Sequence, residues 1–211
     1  MADRSERSER RRRLPSGPSI PPLLEEPMQK RGIWKVKSSR IVYRNPWISV
    51  REDAVVRPDG QPGIFGVVSM IPGVSVIPVD DQGFVYLTRE FHYGVGRVTV
   101  EAISGGIERS ENRLAAAKRE LNEETGLTAK RWTYLGMVDP FTTVVHSPNH
   151  MYLAQRLSNG TPNPEGTERI QVIRAPFATT VRWVINSRIT HSATAVALLK
   201  AQAYLSRTPT E

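Results

Sequence analysis

Residues 105–127 read GGIERSENRLAAAKRELNEETGL, and the rest of the chain is best read outward from them. Gly105 and Gly106 allow a tight loop with positive φ. Ser110 stands where an N-cap is expected. Leu114, Ala117 and Leu121 recur at helical spacing and predict a buried stripe. Gly126 falls where a left-handed C-terminal cap belongs. The stretch therefore predicts a glycine turn, a helix and a glycine stop.

The carboxylates need a separate explanation. Glu120 and Glu124 are spaced i,i+4, and Glu120 and Glu123 i,i+3, so they share a helix face. Like charges at that spacing cost roughly 0.2–0.5 kcal/mol per pair. A cation reverses the sign, and clustered carboxylates are the hard oxygen donors that Mg²⁺ or Mn²⁺ prefers. Arg119 is placed to pair with an acid and hold it in one rotamer. By itself such a cluster can equally be a solvated charged face.

The stretch as a whole is more specific. It fits G-x5-E-x7-R-E-U-x-E-E-x-G-U, with U aliphatic, at all nine fixed positions. Average residue frequencies give that match a chance on the order of 10⁻⁷ in a random chain of this length. The chain therefore resembles the Nudix hydrolases, with a likeness running from about Trp34 to Leu205. The resemblance implies an α+β fold, a Nudix-type α/β/α sandwich with a mixed sheet. It also implies hydrolysis, with Mg²⁺ or Mn²⁺, of a nucleoside diphosphate linked to a further moiety. It assigns the metal to Glu120, Glu124 and the Ser104 main-chain carbonyl. Gly105, Glu111 and Arg119 then support the loop and orient carboxylates.

The 211 residues suit one domain with a real core and a small accessory lobe. There is no cysteine, which removes disulfides and thiolate chemistry. No apolar run approaches the ~18 residues of a membrane helix. The N-terminal arginines are followed by no apolar segment and are interrupted by Asp3, Glu6 and Glu9, so neither a secretory signal nor a transit peptide is expected. A cytoplasmic protein is the expectation. The net charge of +8 suits anionic partners without choosing among them. Residues 1–31 read as a disordered basic and Pro-rich tail. Its one arginine run lacks interleaved aromatics, which is weak ground for nucleic acid but leaves that partner open.

Short β-branched and aromatic runs at 33–36, 40–43, 47–56 and 64–70 predict an antiparallel β lobe over 32–72, ahead of a hydrolase domain over 73–206. In Nudix enzymes resembling ADP-ribose pyrophosphatases, such a lobe helps to form a homodimer and contributes to the base pocket. Trp34 is then a candidate for stacking on the nucleobase, whereas Trp47 reads as a core or interface aromatic. Runs at 74–79 and 84–90 predict a hairpin through 80–83, and 97–103 leads as a strand into the motif.

The segment Glu101-Ala102-Ile103-Ser104-Gly105 resembles that family's Glu-x-Pro-Ala-Gly, with Ile103 and Ser104 replacing proline and alanine. His92 stands where an arginine often contacts phosphate, leaving Arg89 and Arg97 as candidates for the diphosphate. Beyond the motif, 132–138 and 150–156 read as strands. Pro140, between them, best fits the proline that accompanies ADP-ribose specificity. The same loop often supplies a glutamate base, and here Ser147 stands in that place. The remaining candidates for the base are Glu123 and Glu120, Glu165 and Glu168 in a later loop, and His146 and His150; Glu168 ranks level with Glu123. Residues 176–186 predict a helix, and 190–192 cap a final one with Val196, Leu199 and Ala203 on its apolar face.

The leading expectation is a diphosphatase of ADP-ribose or a related nucleotide sugar, giving a nucleoside monophosphate and a sugar phosphate. The alternatives are dinucleoside polyphosphates or RNA 5′ ends as substrates, or a nucleotide sensor that no longer hydrolyses.

Overall fold

The computed structural model describes residues 29–160 and 170–207. The strands are β1 (Gln29–Arg31), β2 (Trp34–Arg44), β3 (Ile48–Val56), β4 (Pro62–Met70), β5 (Gly73–Pro78), β6 (Phe84–His92), β7 (Arg97–Glu101), β8 (Ile103–Gly106), β9 (Leu127–Val138), β10 (Val145–His146), β11 (Asn149–Asn159) and β12 (Gln171–Pro176). The helices are α1 (Arg113–Thr125), α2 (Phe177–Ile185) and α3 (Ser192–Leu205).

A four-stranded mixed sheet, ordered β8-β5-β11-β9, lies between helices. Strand alternation sends its side chains to two cores. Val74, Val76, Tyr152 and Ala154 turn toward α1 and pack with Ala116, Ala117 and Leu121. Ile77, Met151 and Leu153 turn the other way and pack with Ala197, Leu198 and Ala201 of α3. Leu121 is fully buried, so Leu121→Ala is expected to cost about 2–5 kcal/mol. This is the α/β/α sandwich the resemblance implies. A three-stranded sheet, β12-β6-β7, closes the second core, and a five-stranded sheet, β1-β2-β3-β4-β10, forms the N-terminal lobe.

Several expectations change. Ser110 is not the N-cap: it sits at φ 78 in the loop, and Asn112 accepts from the Leu114 and Ala115 amides instead. Gly126 does cap the other end, at φ 70. The two runs at 33–36 and 40–43 are one strand, β2, interrupted by register shifts that disturb its alternation. Gln29–Arg31, read as part of the tail, pairs with Trp34–Val36. The 80–83 turn is built as expected, with Asp80 Oδ1 accepting from the Gln82 and Phe84 amides, yet the strands it joins run in different sheets. The strand expected over 97–103 breaks at Ala102, whose amide donates to Thr194 Oγ1 at 2.8 Å as the chain changes sheets. Residues 145–146 form a short parallel strand on β4, which two residues are too few to announce. The buried face of α3 differs from the Val196, Leu199 and Ala203 stripe expected: Ala193, Thr194, Ala197, Leu198 and Ala201 are buried, while Leu199 is exposed. A helix rich in alanine on all sides gives periodicity little contrast to work with.

Candidate active site

The loop 104–112 and α1 bring the box residues together around one guanidinium. Arg119 Nη1 donates to Glu120 Oε1 at 2.8 Å and to Glu123 Oε2 at 2.9 Å. Its Nε and Nη2 reach the two oxygens of Glu111 at 3.2 and 3.1 Å, and Nη2 also donates to the Gly106 carbonyl at 2.9 Å. Three carboxylates on one half-buried cation offset the repulsion that helical spacing alone would impose. Hydrogen bonding to Glu111 is the first cause that raises the Arg119 pKa above its ordinary value. The same bond, against a smaller opposing effect of burial, holds Glu111 below the usual carboxylate range.

Strand β8 meets the helix on the other side. The Ser104 amide donates to Glu124 Oε1 at 3.1 Å. Gly105 packs so closely on the Glu120 carboxylate that a Cβ there would overlap it. The position needs glycine for close approach rather than for an unusual φ. Gly106 is similarly pressed by the Ile71 side chain, which ties the box to the end of the N-terminal lobe.

The other candidates lie further apart. Trp34 meets Phe65 edge-to-face, with ring centroids 5.5 Å apart, in a pocket of about 170 Å³ that also holds Arg31, Val36, Asp53 and Val55. Burial opposes ionisation of Asp53, but hydrogen bonds from Ser39 and Arg51 and the charges of Arg51 and Arg31 hold its pKa low. Trp47 is 69% exposed, so it is no core residue. It lines a separate groove with Arg44, Met70 and Ile71.

Arg89 and Arg97 do not share a site. Arg89 pairs in register with Val100, and Arg97 with His92, so the pleat turns them to opposite faces of the three-stranded sheet. Arg89 donates to Gln171 and Arg97 to Thr190. Pro140 is exposed in the loop before β10, and Ser147 follows that strand. His146 is exposed; His150 Nδ1 lies 3.0 Å from the Tyr134 hydroxyl, and burial, then the nearby Arg113, pushes its pKa below the usual value. Glu165 and Glu168 lie outside the described residues.

One cluster gave no warning in the sequence. Glu101 is partly buried at the end of β7 and faces two imidazoles: His92 Nε2 is 3.2 Å from Oε1, and His191 Nδ1 is 3.0 Å from Oε2. Thr99 Oγ1 donates to Oε1 at 2.6 Å. Burial opposes ionisation here too, but the hydrogen bonds from His191 and Thr99 and the charges of both histidines leave the Glu101 pKa below its ordinary value. His191 is 90 positions from Glu101, just ahead of α3, and nothing in its local sequence marks it.

The NUDIX domain family model matches residues 70–186, more than half of the chain. The chain belongs to the NUDIX family. Residues 34–68 of this NUDIX protein match the nucleoside diphosphate sugar hydrolase N-terminal domain. Over 117 residues it is 29% identical to the ADP-ribose pyrophosphatase of Bacillus subtilis (strain 168), an alignment covering 56% of this chain and 63% of that relative. The chain thus spans less than two thirds of that protein's length. A 27% identity over 169 residues links it to the ADP-ribose pyrophosphatase of Mycobacterium tuberculosis, covering 79% and 82% of the two chains. The same identity over 167 residues links it to the CMP-5'-(N-acetyl-N-hydroxy-3-aminopropyl)phosphonate hydrolase of Streptomyces rubellomurinus, covering 79% and 81%. Among solved structures, an ADP compounds hydrolase superposes with a TM-score of 0.73 at 22% identity, over 86% of this chain and 97% of that one. At that identity the shared property is the fold. Among the described residues, no helix is long and apolar enough to cross a membrane.

Proposed function

We propose that this NUDIX protein hydrolyses the diphosphate bond of ADP-ribose or a related nucleoside diphosphate sugar, with Mg²⁺ or Mn²⁺, giving a nucleoside monophosphate and a sugar phosphate. The observation that carries the reading is the box itself: Glu120 seated on Gly105, Glu124 on the Ser104 amide, and Arg119 holding Glu120 and Glu123. The two named ADP-ribose pyrophosphatases among the relatives support the substrate class.

The donor chemistry fits a hard divalent cation. Among the described residues, no three His, Asp or Glu side chains form a cage on their own. That is compatible with Mg²⁺, which keeps several waters and shares substrate phosphate oxygens rather than filling an all-protein cage. Glu120, Glu124 and the Ser104 carbonyl are the groups that would hold it. Bound there, the metal would neutralise phosphate charge and lower the pKa of a water.

The chain's own groups do the rest. Arg119 fixes Glu120 and Glu123 in one arrangement, so their orientation is set before substrate arrives. Glu123, about 28% exposed, can accept the proton of the attacking water as its oxygen bonds to phosphorus and the bridging P–O bond breaks. Glu168 is the rival for that role. The Trp34–Phe65 pocket suits a nucleobase, being mostly apolar with a few polar groups.

A homodimer completes the reading. Phe65 and Met70 are five positions apart on β4, roughly 17 Å of strand, so Trp34's pocket lies far from its own box. Exposed Ile41, Tyr43, Trp47 and Ile64 on the lobe offer apolar surface to a second copy. The decisive experiment is metal-dependent turnover of ADP-ribose, nucleotide sugars, dinucleoside polyphosphates and capped RNA by wild type and by Glu124→Gln. Light scattering of the wild type tests the dimer. Turnover of capped RNA alone, or nucleotide binding with no turnover at all, would remove this reading.

A further inference from the structure

The cleft between the β6–β7 hairpin and the turn ahead of α3 lies apart from both the box and the Trp34 pocket. It has a volume of about 520 Å³ and is lined by His92, Tyr93, Arg97, Thr190, His191 and Ser192, with Glu101 beneath. Its position is informative. Glu101 is three residues before Ser104, so the cleft begins at most about 10 Å, the longest reach of three residues, from the place assigned to the diphosphate. A moiety attached beyond a diphosphate bound there can extend over that range.

The chemistry of the cleft is cationic at its rim. Arg97 makes one side-chain hydrogen bond, donating through Nη2 to Thr190 Oγ1 at 2.9 Å, and has no acid within ion-pair distance among the described residues. A guanidinium has five N–H donors in a fixed fork suited to carboxylate or phosphate. The one carboxylate nearby, Glu101, does not compete for it. Its oxygens are occupied by His92, His191 and Thr99, and it is only 13% exposed. The other titratable group at the rim, Tyr93, is almost fully exposed. Glu90, on the same face of the sheet as Thr99, is the remaining acid of the hairpin. Two imidazoles thus hold a partly buried acid in place while the guanidinium faces the opening.

We propose that this cleft selects substrates whose moiety beyond the diphosphate carries its own anionic group, a carboxylate or a phosphoryl group, with Arg97 as its direct partner. Glu101 and His191 act as positioning residues that shape the cleft. The inference rests on the proposed function for the location of the diphosphate, and it narrows the substrate class from nucleotide sugars at large to acidic ones.

The test compares UDP-glucuronate with UDP-glucose, which differ by one carboxylate. Binding to the full chain is measured by calorimetry without divalent metal, and turnover is measured separately with Mg²⁺. Wild type is expected to bind the uronate about tenfold more tightly, as for a charge-assisted hydrogen bond. Arg97→Gln should erase that preference, and Arg97→Lys should restore part of it, which a merely structural role would not do. Equal binding of the two ligands, no binding of either, or a preference that survives in Arg97→Gln overturns the proposal. Preferential binding without turnover would leave the cleft assignment standing and count against the hydrolase reading instead.

Discussion

The box and the cleft behind it are built from the same materials, carboxylates neutralised by basic side chains, but they are assembled in opposite ways. In the box, Glu111, Arg119, Glu120, Glu123 and Glu124 come from 14 consecutive residues, and one helix plus its leading loop sets their geometry. In the cleft, Glu101 is met by His92 across a hairpin and by His191 from a turn 90 positions away. A local constellation leaves a spacing that can be read. A non-local one leaves single residues, each of which looks ordinary where it stands.

The roles proposed are chemistry for the first region and selection for the second, and experiment can break that division. The largest effect is expected at the box: Glu124→Gln removes a proposed metal ligand and should lower kcat by more than the about 10–100-fold typical of an outer metal-site partner. A loss below tenfold would dislodge Glu124 from that role. Gly105→Ala should follow closely, lowering kcat by about tenfold or more, because the added methyl must displace the Glu120 carboxylate. A folded, fully active Gly105→Ala enzyme would mean that Glu120 is not held there during turnover.

Selection should show in KM instead. Trp34→Ala is expected to raise KM by roughly 5- to 150-fold, the equivalent of one base-stacking contact, with less effect on kcat. A change confined to kcat would take Trp34 out of the base pocket. The smallest effect is on stability against pH. Glu101 has a folded pKa below its ordinary 4.5, so its contribution is complete above that value and fades as pH falls through the lower folded one. Glu101→Gln should therefore make the acid-side decline of Tm shallower while lowering Tm near neutrality. An unchanged acid slope in thermal melts would show that its imidazole partners do not stabilise the ionised form.

What could be read in advance follows the same division. The turn-helix-stop of 105–127 and the strand runs of the lobe were legible because helical and strand periods are local properties. The cap moved from Ser110 to Asn112 because both residues are competent and only the loop path decides between them. The buried face of α3 is not legible in the sequence because alanine recurs around that helix. The break at Ala102 and the separation of Arg89 from Arg97 depend on which strand pairs with which, and a run of Val and Thr does not encode that. His191 stayed invisible for the same reason.

The hydrogen bond from Ala102 to Thr194 has a kinetic meaning as well. It spans 92 residues and anchors the point where the chain leaves one sheet to become the strand that carries Ser104 and Gly105. So long a closure forms late relative to local contacts. During synthesis, β8 can pair with β5 and the helix of the box can follow as their own residues emerge. The fastening at Ala102 alone waits for residue 194, so the strand that carries Ser104 should be seated well before it is locked.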